Sequence, residues 1–421
     1  MKEESVHMAE KNLVKEAYKK ALSTGGKTGL NCIAELDPAC HSKGNDSLPL
    51  YGIPVLVKDN IDVKGLHTTA GSLVLSDNIA KEDAPVIRNL RRNGAAIFGK
   101  TNMTEFANYV DPSMPAGYSS RGGQVIHAGN PRLSPSGSST GSAVAVSAGI
   151  VSMAVGTDTC HSITACAKFN GICGLKPPAG TLSKKGIIPI SKTLDSAGAL
   201  ADSLENALKL YSAMRDEALE KIEPKKIGKL QVAVNIANAE VLSDAENAFI
   251  RNTVEKIRAA GGQSCEVNQP PAPHLPIIMK YEFKPGLEEY LGESSASMKT
   301  LSEIVSYYED HPETMMKYGA SFLKAALLET PGGLKSPEYL DAVQIRKETI
   351  RKVTDEISGF DAVIMSGPTS MMHFCGFPTV TIASSERDET GVNTALILYG
   401  TDEYRLYAAA LAIEELINEN R

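Results

Sequence analysis

The chain has 421 residues, of which 42% are hydrophobic, so it can build a large core in one big domain or two moderate ones. Its net charge of −7 comes from scattered charges without a basic stripe, which argues against nucleic acid as a partner. No apolar run approaches the ~20 residues of a membrane-spanning helix, so no membrane segment is expected.

Two further features of the composition favour the cytoplasm. Residues 1–5 read Met-Lys-Glu-Glu-Ser and lack the hydrophobic core of a signal segment. The seven cysteines are odd in number and contain no Cys-x-x-Cys pair, so reduced thiols are expected.

Apolar periodicity predicts helices and strands that alternate along the chain. Helices are predicted over residues 10–22, 83–93, 140–147, 203–215, 243–260, 336–358 and 402–418. Strands are predicted over 55–57, 95–99, 150–155, 230–236, 360–365, 378–383 and 394–400, and residues 171–180 are interpreted as a turn-rich connector. This alternation favours an α/β fold with a mixed or parallel sheet. Residues 270–335, which follow a proline-rich break, are predicted to be a helical excursion that shapes a substrate pocket.

The stretch over residues 123–191 contains two serine-bearing loops that flank one small helix and one strand. We call them the Ser138 loop (residues 134–139) and the Ser162 loop (residues 159–163). Loops carried by rigid elements are where catalytic groups usually lie.

Lys58 directly follows a short apolar run. Such a lysine either extends to the surface or is held inside for chemistry. Amide cleavage needs a nucleophile and a base, and serine–lysine pairs are one recurring solution. A lysine base must be neutral, and burial at the end of a strand would lower its pKa accordingly.

A Ser-His-Asp hydrolase is the rival interpretation. Residues 137–141, Gly-Ser-Ser139-Thr-Gly, match the Gly-x-Ser-x-Gly string of that class. The string requires a strand directly before it, however, and Ser-Pro-Ser at residues 134–136 is not one.

Several ordered segments resemble the motifs of the amidase signature family. The segment Gly-Ile-Pro-Val-Leu-Val-Lys58-Asp-Asn is similar to its lysine motif, and Ser-Gly-Ser138-Ser-Thr-Gly-Ser-Ala is similar to its Gly/Ser-rich loop. Further similar segments lie at residues 69–72, 99–108, 156–163, 169–177, 191–198 and 374–382. The resemblance covers most of the chain and is weakest over residues 224–360.

The resemblance implies a Ser-cisSer-Lys triad. Ser162 falls on the family's nucleophile, Lys58 on its base, and Ser138 on the bridging serine that follows a cis peptide bond. Spacing to Ser162 favours Ser138 over its neighbour Ser139 as the bridge. The residues implied in oxyanion or substrate binding, or in supporting the two loops, are Thr159, Cys160, His161, Ser136, Gly137 and Asp158.

The resemblance also implies one domain over residues 1–421, with a signature core over about 50–200. Its sheet would be mixed and twisted, with helices on both faces. The substrate would be a small-molecule amide, no cofactor or metal would be needed, and a homodimer would be a common assembly. Lys100, Glu105 and Asp195 are interpreted as structural, and His127 and His373 as packed or surface histidines rather than metal ligands.

The chain departs from the family at several positions, including the segment Ala-Cys-Ala-Lys at residues 165–168, which replaces a more typical one. Cys160 and His161 stand where two glycines usually precede the nucleophile. Thr164 replaces an arginine, and Thr140 replaces a common glycine. Side chains at residues 160 and 161 are expected to strain the loop or narrow the acyl pocket, because glycine permits close approach and unusual φ and ψ.

Three alternatives to an ordinary amidase therefore stay open. One is a catalytically impaired scaffold that binds a ligand or partner. Another is the amidotransferase subunit that releases ammonia from glutamine for transfer RNA charging. The third is a Cys160–His161 nucleophile pair, which an extended backbone would disfavour because neighbouring side chains then point to opposite faces.

Overall fold

The computed structural model describes residues 13–40 and 45–418, and its centre is an 11-stranded mixed sheet. The strands are β1 (Ile33–Leu36), β2 (Pro54–Lys58), β3 (Ala96–Thr101), β4 (Tyr118–Ser119), β5 (Gly123–Gln124), β6 (Met153–Asp158), β7 (Cys173–Lys176), β8 (Ser196–Ala201), β9 (Gln231–Asn235), β10 (Gln263–Val267), β11 (Ala362–Met365), β12 (Thr379–Arg387) and β13 (Asn393–Tyr399). The strands β4 and β5 form a separate two-stranded ribbon.

Helices cover both faces of the sheet. They are α1 (residues 13–20), which continues into a π-helical turn at Ala21–Gly25, α2 (Pro85–Arg92), α3 (Thr140–Ser147), α4 (Thr164–Asn170), α5 (Leu204–Met214), α6 (Asp244–Ala259), α7 (Leu275–Glu293), α8 (Leu301–Asp310), α9 (Pro312–Met315), α10 (Ser321–Leu328), α11 (Pro337–Ile357), α12 (Met371–Cys375) and α13 (Glu403–Asn418). The predicted α/β fold with a mixed sheet is confirmed.

The strand order explains where the polar residues at the strand ends lie. The order is β1-β3-β2-β6-β8-β7-β12-β13-β11-β9-β10, and β2 pairs with β6 in parallel, with Val57 opposite Val155. The carboxyl ends of parallel neighbours meet at one edge of a sheet, where ligands commonly bind. Lys58 and Asp158, the last residues of β2 and β6, therefore lie at the same edge.

Apolar side chains on the two faces of the sheet bury separate cores. On one face α2, α5, α6 and α13 cover the sheet, and Ile87, Leu210 and Ile413 are fully buried there. On the other face α3 packs against β2 and β6 and α4 packs against β7 and β12, and Val144 and Ile163 belong to the core formed there. Because side chains alternate along each strand, β2 and β6 contribute to both cores. The two cores hold in place these strands, whose ends carry Lys58 and Asp158.

The stretch that follows the proline-rich break consists of four helices, α7 to α10. They share an apolar cluster with residues near the sheet edge, in which the Tyr109 ring lies 4.7 Å from Phe283 and 5.3 Å from Phe322. In the chain, this stretch lies between β10 and α11. The excursion is therefore packed against residues 70–75, 103–114 and 188–190 rather than extended away from the rest of the protein.

Several strands differ from the sequence-based expectations: β1, β4 and β5 were not predicted, and β12 extends to Arg387 rather than to residue 383. Residues 171–180 were expected to be a connector, but β7 within them is a buried central strand. The predicted strand over residues 150–155 begins later, at Met153. No strand was predicted at β8 or β10, because β8 consists of small residues and β10 is a largely exposed edge strand with no apolar alternation.

The predicted helix over residues 10–22 is helical from residue 13 to residue 20, and residues 10–12 lie outside the described residues. Residues 1–5, on which the cytoplasmic prediction partly depends, also lie outside them. Within the described residues, no helix combines the length and apolar character that crossing a membrane requires.

Candidate active site

Lys58 is fully buried at the end of β2. Its Nζ lies 2.8 Å from Ser138 Oγ, 2.8 Å from Thr157 Oγ1 and 3.2 Å from the Thr157 carbonyl oxygen. Burial lowers the pKa of Lys58 to about 7, and the nearby acidic groups only partly oppose this shift. A large fraction of Lys58 is therefore neutral near pH 7, and a neutral amine can accept a proton.

Ser138 lies between Lys58 and Ser162. Its Oγ is 2.8 Å from Lys58 Nζ and 2.9 Å from Ser162 Oγ. The Gly137–Ser138 peptide bond is cis, in agreement with the family pattern. A Cβ on Gly137 would lie 2.4 Å from Thr104 Oγ1, so only glycine fits at that position.

The three polar groups form one continuous chain of hydrogen-bond contacts. Lys58 and Ser138 are fully buried, whereas Ser162 is 7% exposed at the outer end of the chain. The N–H of Ser139 donates to the Ser162 carbonyl at 3.3 Å and joins the two loops. The arrangement can move a proton between the Ser162 hydroxyl and the Lys58 amine.

Ser139 is oriented away from this chain. Its Oγ donates to the Thr157 carbonyl at 2.9 Å and accepts from the Thr157 N–H at 3.2 Å. In the described chain, residues 134–138 before it contain no strand. The geometry therefore lacks the strand-to-helix elbow that a Gly-x-Ser-x-Gly hydrolase needs.

Asp158 holds the backbone that follows Ser162. Its Oδ2 accepts from the N–H groups of Ile163 at 2.6 Å and Thr164 at 3.3 Å. Burial raises the pKa of Asp158, but the contact with His373, the nearby Lys176 and the hydrogen bond from Ile163 outweigh burial and hold that pKa well below its usual range. The carboxylate is therefore charged and anchors the Ser162 loop.

His161 and His373 lie side by side next to Ser162. Their ring centroids are 4.3 Å apart, and His373 is fully buried on α12. His373 Nε2 is 3.2 Å from the backbone nitrogen of His161 and 3.1 Å from its Nδ1. From the sequence, His373 was interpreted as a packed or surface histidine rather than a metal ligand, and nothing local links residue 373 to residue 161.

The Ser162 loop is not extended, contrary to the premise used for the Cys160–His161 pair. Its residues form bends and turns, and His161 has a φ of +70°, in the region that favours glycine. Cys160 instead packs against an apolar cluster that includes Leu275 and Phe374. Burial raises the pKa of the Cys160 thiol to about 12, so a reactive thiolate is not formed near pH 7.

The remaining predicted residues support the loops. Thr159 Oγ1 donates to Asp195 Oδ1 at 2.5 Å, and burial raises the pKa of Asp195 to about 6. Ser136 has a φ of +58°, and its carbonyl accepts from Thr140 Oγ1 at 2.8 Å. Thr164, which stands where the family has arginine, is fully buried. None of these side chains touches the Lys58–Ser138–Ser162 chain.

The chain is similar to known amidases along most of its length. A family model described as Amidase matches residues 10–382. The chain is 29% identical over 407 residues to a probable amidase of Arabidopsis thaliana, and the match covers 89% of this chain and 78% of that protein. It is 28% identical over 408 residues to a glutamyl-tRNA(Gln) amidotransferase A subunit from Nitratiruptor sp., over 87% of this chain and 90% of that protein.

A solved structure is also similar. The native peptide amidase from Stenotrophomonas maltophilia superposes with a TM-score of 0.84 at 27% sequence identity, over 97% of this chain and 93% of that one. The likeness extends over the sheet, both helical layers and the helical excursion.

Proposed function

Since this chain belongs to the amidase family, we propose that it hydrolyses the C–N bond of a carboxylic amide through an acyl-enzyme on Ser162. Ser138 is the proton bridge and Lys58 the general base in this proposal. The observation that carries it is the unbroken chain of contacts from Lys58 Nζ through Ser138 Oγ to Ser162 Oγ, at 2.8 and 2.9 Å.

Acylation begins with a proton transfer along this chain. Neutral Lys58 takes the proton of Ser138, while Ser138 takes the proton of Ser162 and the Ser162 Oγ attacks the carbonyl carbon. The lowered pKa of Lys58, about 7, supports this step because the amine is available as a base near neutral pH. Thr157 stabilises the position of Lys58 through two further contacts.

Collapse of the tetrahedral intermediate reverses the proton path. Ser138 donates a proton to the leaving nitrogen, and protonated Lys58 replaces it. The C–N bond breaks and the amine leaves. Water then attacks the acyl ester on Ser162 with the same groups acting as base and acid, which restores the free serine.

Backbone N–H groups of the Ser162 loop are proposed to bind the oxyanion. Oriented backbone donors stabilise the charge that develops on the carbonyl oxygen. Among the described residues, no protein acceptor is within hydrogen-bond distance of the N–H groups of Cys160 and Ser162. The N–H of His161, in contrast, donates to His373.

The helical excursion is proposed to form part of the acyl pocket, and the substrate to be a small-molecule amide. Cys160 packs in one cluster with Ile277 and Met279 of α7 and Met371 of α12. Cys160 lies two residues before Ser162, so this cluster would contact a substrate bound there. An apolar wall with few polar groups is typical of small-molecule sites.

The proposal is tested by the mass of the intact protein after reaction with a serine-reactive fluorophosphonate. One adduct is expected on the parent and none on Ser162→Ala. Lys58→Met should react about 10² to 10⁴-fold more slowly, since general base catalysis contributes that much. Ser139→Ala is the matched control, because its hydroxyl lies outside the proton path, and it should retain the adduct.

The pH dependence of labelling gives a second readout. Lys58 is charged below its pKa of about 7, so the labelling rate should rise about tenfold per pH unit below that value. Lys58→Met should lack this rise.

A folded parent that forms no adduct at any pH would contradict the proposal and favour an impaired scaffold. Turnover that needs a co-purifying second subunit would favour the amidotransferase alternative.

A further inference from the structure

A buried acid–base pair lies beside Ser162, and the proposed proton path does not use it. His373 Nδ1 is 3.2 Å from Asp158 Oδ1, and His373 Nε2 is 3.2 Å from the backbone nitrogen of His161. Asp158 also accepts two N–H groups that follow Ser162. The pair is therefore connected to the backbone on both sides of Ser162.

One nitrogen of His373 has two competing partners. Nε2 is within 3.2 Å of the His161 N–H and within 3.1 Å of His161 Nδ1. Neutral His373 with its proton on Nδ1, toward Asp158, has a lone pair on Nε2 and accepts the backbone N–H. Protonated His373 has an N–H at Nε2, which can donate to His161 Nδ1 and repels the backbone N–H. The two bonding states exclude each other.

We propose that the protonation state of His373 decides whether the backbone N–H of His161 is free to bind the oxyanion at Ser162. Neutral His373 occupies this donor, and protonated His373 releases it while binding the His161 ring instead. His373 is then a positioning residue of the reaction. This inference rests on the proposed function, since it states when the His161 N–H is available to the oxyanion in that same reaction.

One departure from the family pattern, His161, makes this exchange of hydrogen-bond partners possible. A glycine at position 161 would offer a backbone N–H but no ring nitrogen that could accept a hydrogen bond from protonated His373. His161 has a φ of +70°, in the region that favours glycine, and its N–H is directed at His373 Nε2. The imidazole ring is what histidine adds at position 161 relative to glycine. Among the described histidines, His373 alone contacts this ring.

Charged and titratable groups face His373 from several elements. The Asp158 carboxylate, whose pKa is held below its usual range, faces His373 Nδ1 at 3.2 Å. Burial lowers the pKa of His161 to about 3, so its ring is neutral and can accept a hydrogen bond. Lys176 on β7 lies near Asp158, and Arg346 on α11 donates to the Phe374 carbonyl of α12 at 2.6 Å. The Cys160 thiol stays uncharged near pH 7 because burial raises its pKa.

The inference predicts a labelling rate that falls again at high pH. Deprotonation of Lys58 produces the rising part of the fluorophosphonate profile, and deprotonation of His373 should produce a falling part. Removal of one oxyanion donor costs about 10² to 10³-fold in rate in a well-studied protease, so a fall of at least about tenfold is expected. The two ionisations belong to the coupled site and would be reported as macroscopic values.

His373→Gln tests the assignment of the falling part. The glutamine oxygen can accept the His161 N–H but cannot be protonated in this pH range, so the donor stays occupied. The variant should keep the rise due to Lys58, lose the fall, and react about tenfold or more slowly than the parent at its maximum. His127→Gln is the matched control, since His127 is another buried histidine that bonds the Phe169 carbonyl at 2.8 Å; it should keep the fall.

A second measurement separates this inference from the proposed function. In the parent, the NMR shift of the His161 amide should change with pH in step with the ring signals of His373. In His161→Gly, which is compatible with the positive φ and is expected to fold, the residue 161 amide should respond at lower pH because protonated His373 has lost its acceptor.

The outcomes are distinct. A parent that never labels at Ser162 overturns the proposed function, while the amide titration still tests the inference. A parent that labels with only a rising profile overturns the inference alone. So does a falling part that persists in His373→Gln, or a His161 amide that does not respond when His373 titrates.

Discussion

The Ser138 loop and the Ser162 loop carry adjacent hydroxyls, yet the protein holds them by different means. The Ser138 loop depends on small residues: Gly137 has no room for a Cβ, and Thr140 fixes the Ser136 carbonyl at its end. The Ser162 loop depends on the side chains of Asp158 and His373, which bind its backbone on either side of the serine.

The difference indicates which of the two loops in this chain can accept substitutions more readily. A loop built from glycine and close backbone contacts permits few substitutions, because any added atom meets backbone or buried side chains. A loop held by side chains from outside can change its residues if the supporting side chains change as well. Cys160 and His161 stand in the second loop, where His373 supports them.

The largest expected effect separates the two neighbouring serines of the Ser138 loop. Ser138→Ala should reduce the fluorophosphonate labelling rate by about 10² to 10⁴-fold, because it removes the hydroxyl between Lys58 and Ser162. Ser139→Ala should reduce it far less, since the Ser139 hydroxyl bonds only Thr157. Equal rates for the two variants, measured with matched folding by circular dichroism, would contradict the proton path.

A second prediction concerns the charged support of the Ser162 loop. Asp158→Asn should lower the free energy of unfolding by about 3 kcal/mol at pH 7, because the amide cannot serve both the two N–H groups and His373. Urea unfolding monitored by tyrosine fluorescence measures it. Asp202→Asn, an exposed carboxylate after β8, is the control and should change stability by less than about 0.5 kcal/mol.

The difference in free energy of unfolding between the parent and Asp158→Asn should depend on pH in a defined direction. The pKa of Asp158 is depressed in the folded protein, so its stabilisation is complete above the unfolded value of about 4 and is lost as the pH falls below it. The gap between the parent and Asp158→Asn should therefore shrink below about pH 4. A gap that is constant from pH 7 to about pH 3 would show that the charge of Asp158 is not what holds the loop.

The smallest expected effect is on the end of the Ser138 loop. Thr140→Gly removes the hydrogen bond to the Ser136 carbonyl and places glycine at the start of α3, which should cost about 1 kcal/mol. Thr140→Ser keeps the hydroxyl and is the matched control, with little loss expected. If both variants lose the same stability in urea unfolding, the methyl group of Thr140 and not its hydroxyl supports the loop.

The sequence by itself determined the elements with strong local patterns. Helices such as α5, α6 and α11 lie within a residue or two of their predicted bounds, since the 3.6-residue period and capping residues are local signals. Lys58 at the end of β2 was also predicted, because an apolar run ends at a charged residue there. The order of the motifs indicated the family, which the matched residues 10–382 show.

Only the tertiary structure decided which polar groups meet. Strand β7 was missed because four residues between turn signals carry almost no period, and it is a strand because β8 and β12 pair with it on both sides. His373 contacts His161 across 212 positions of the chain, and no local pattern encodes such a pairing. Hydrogen bonds between distant residues depend on how whole elements pack, so the supports of the Ser162 loop emerge only when β6, β7 and α12 come together.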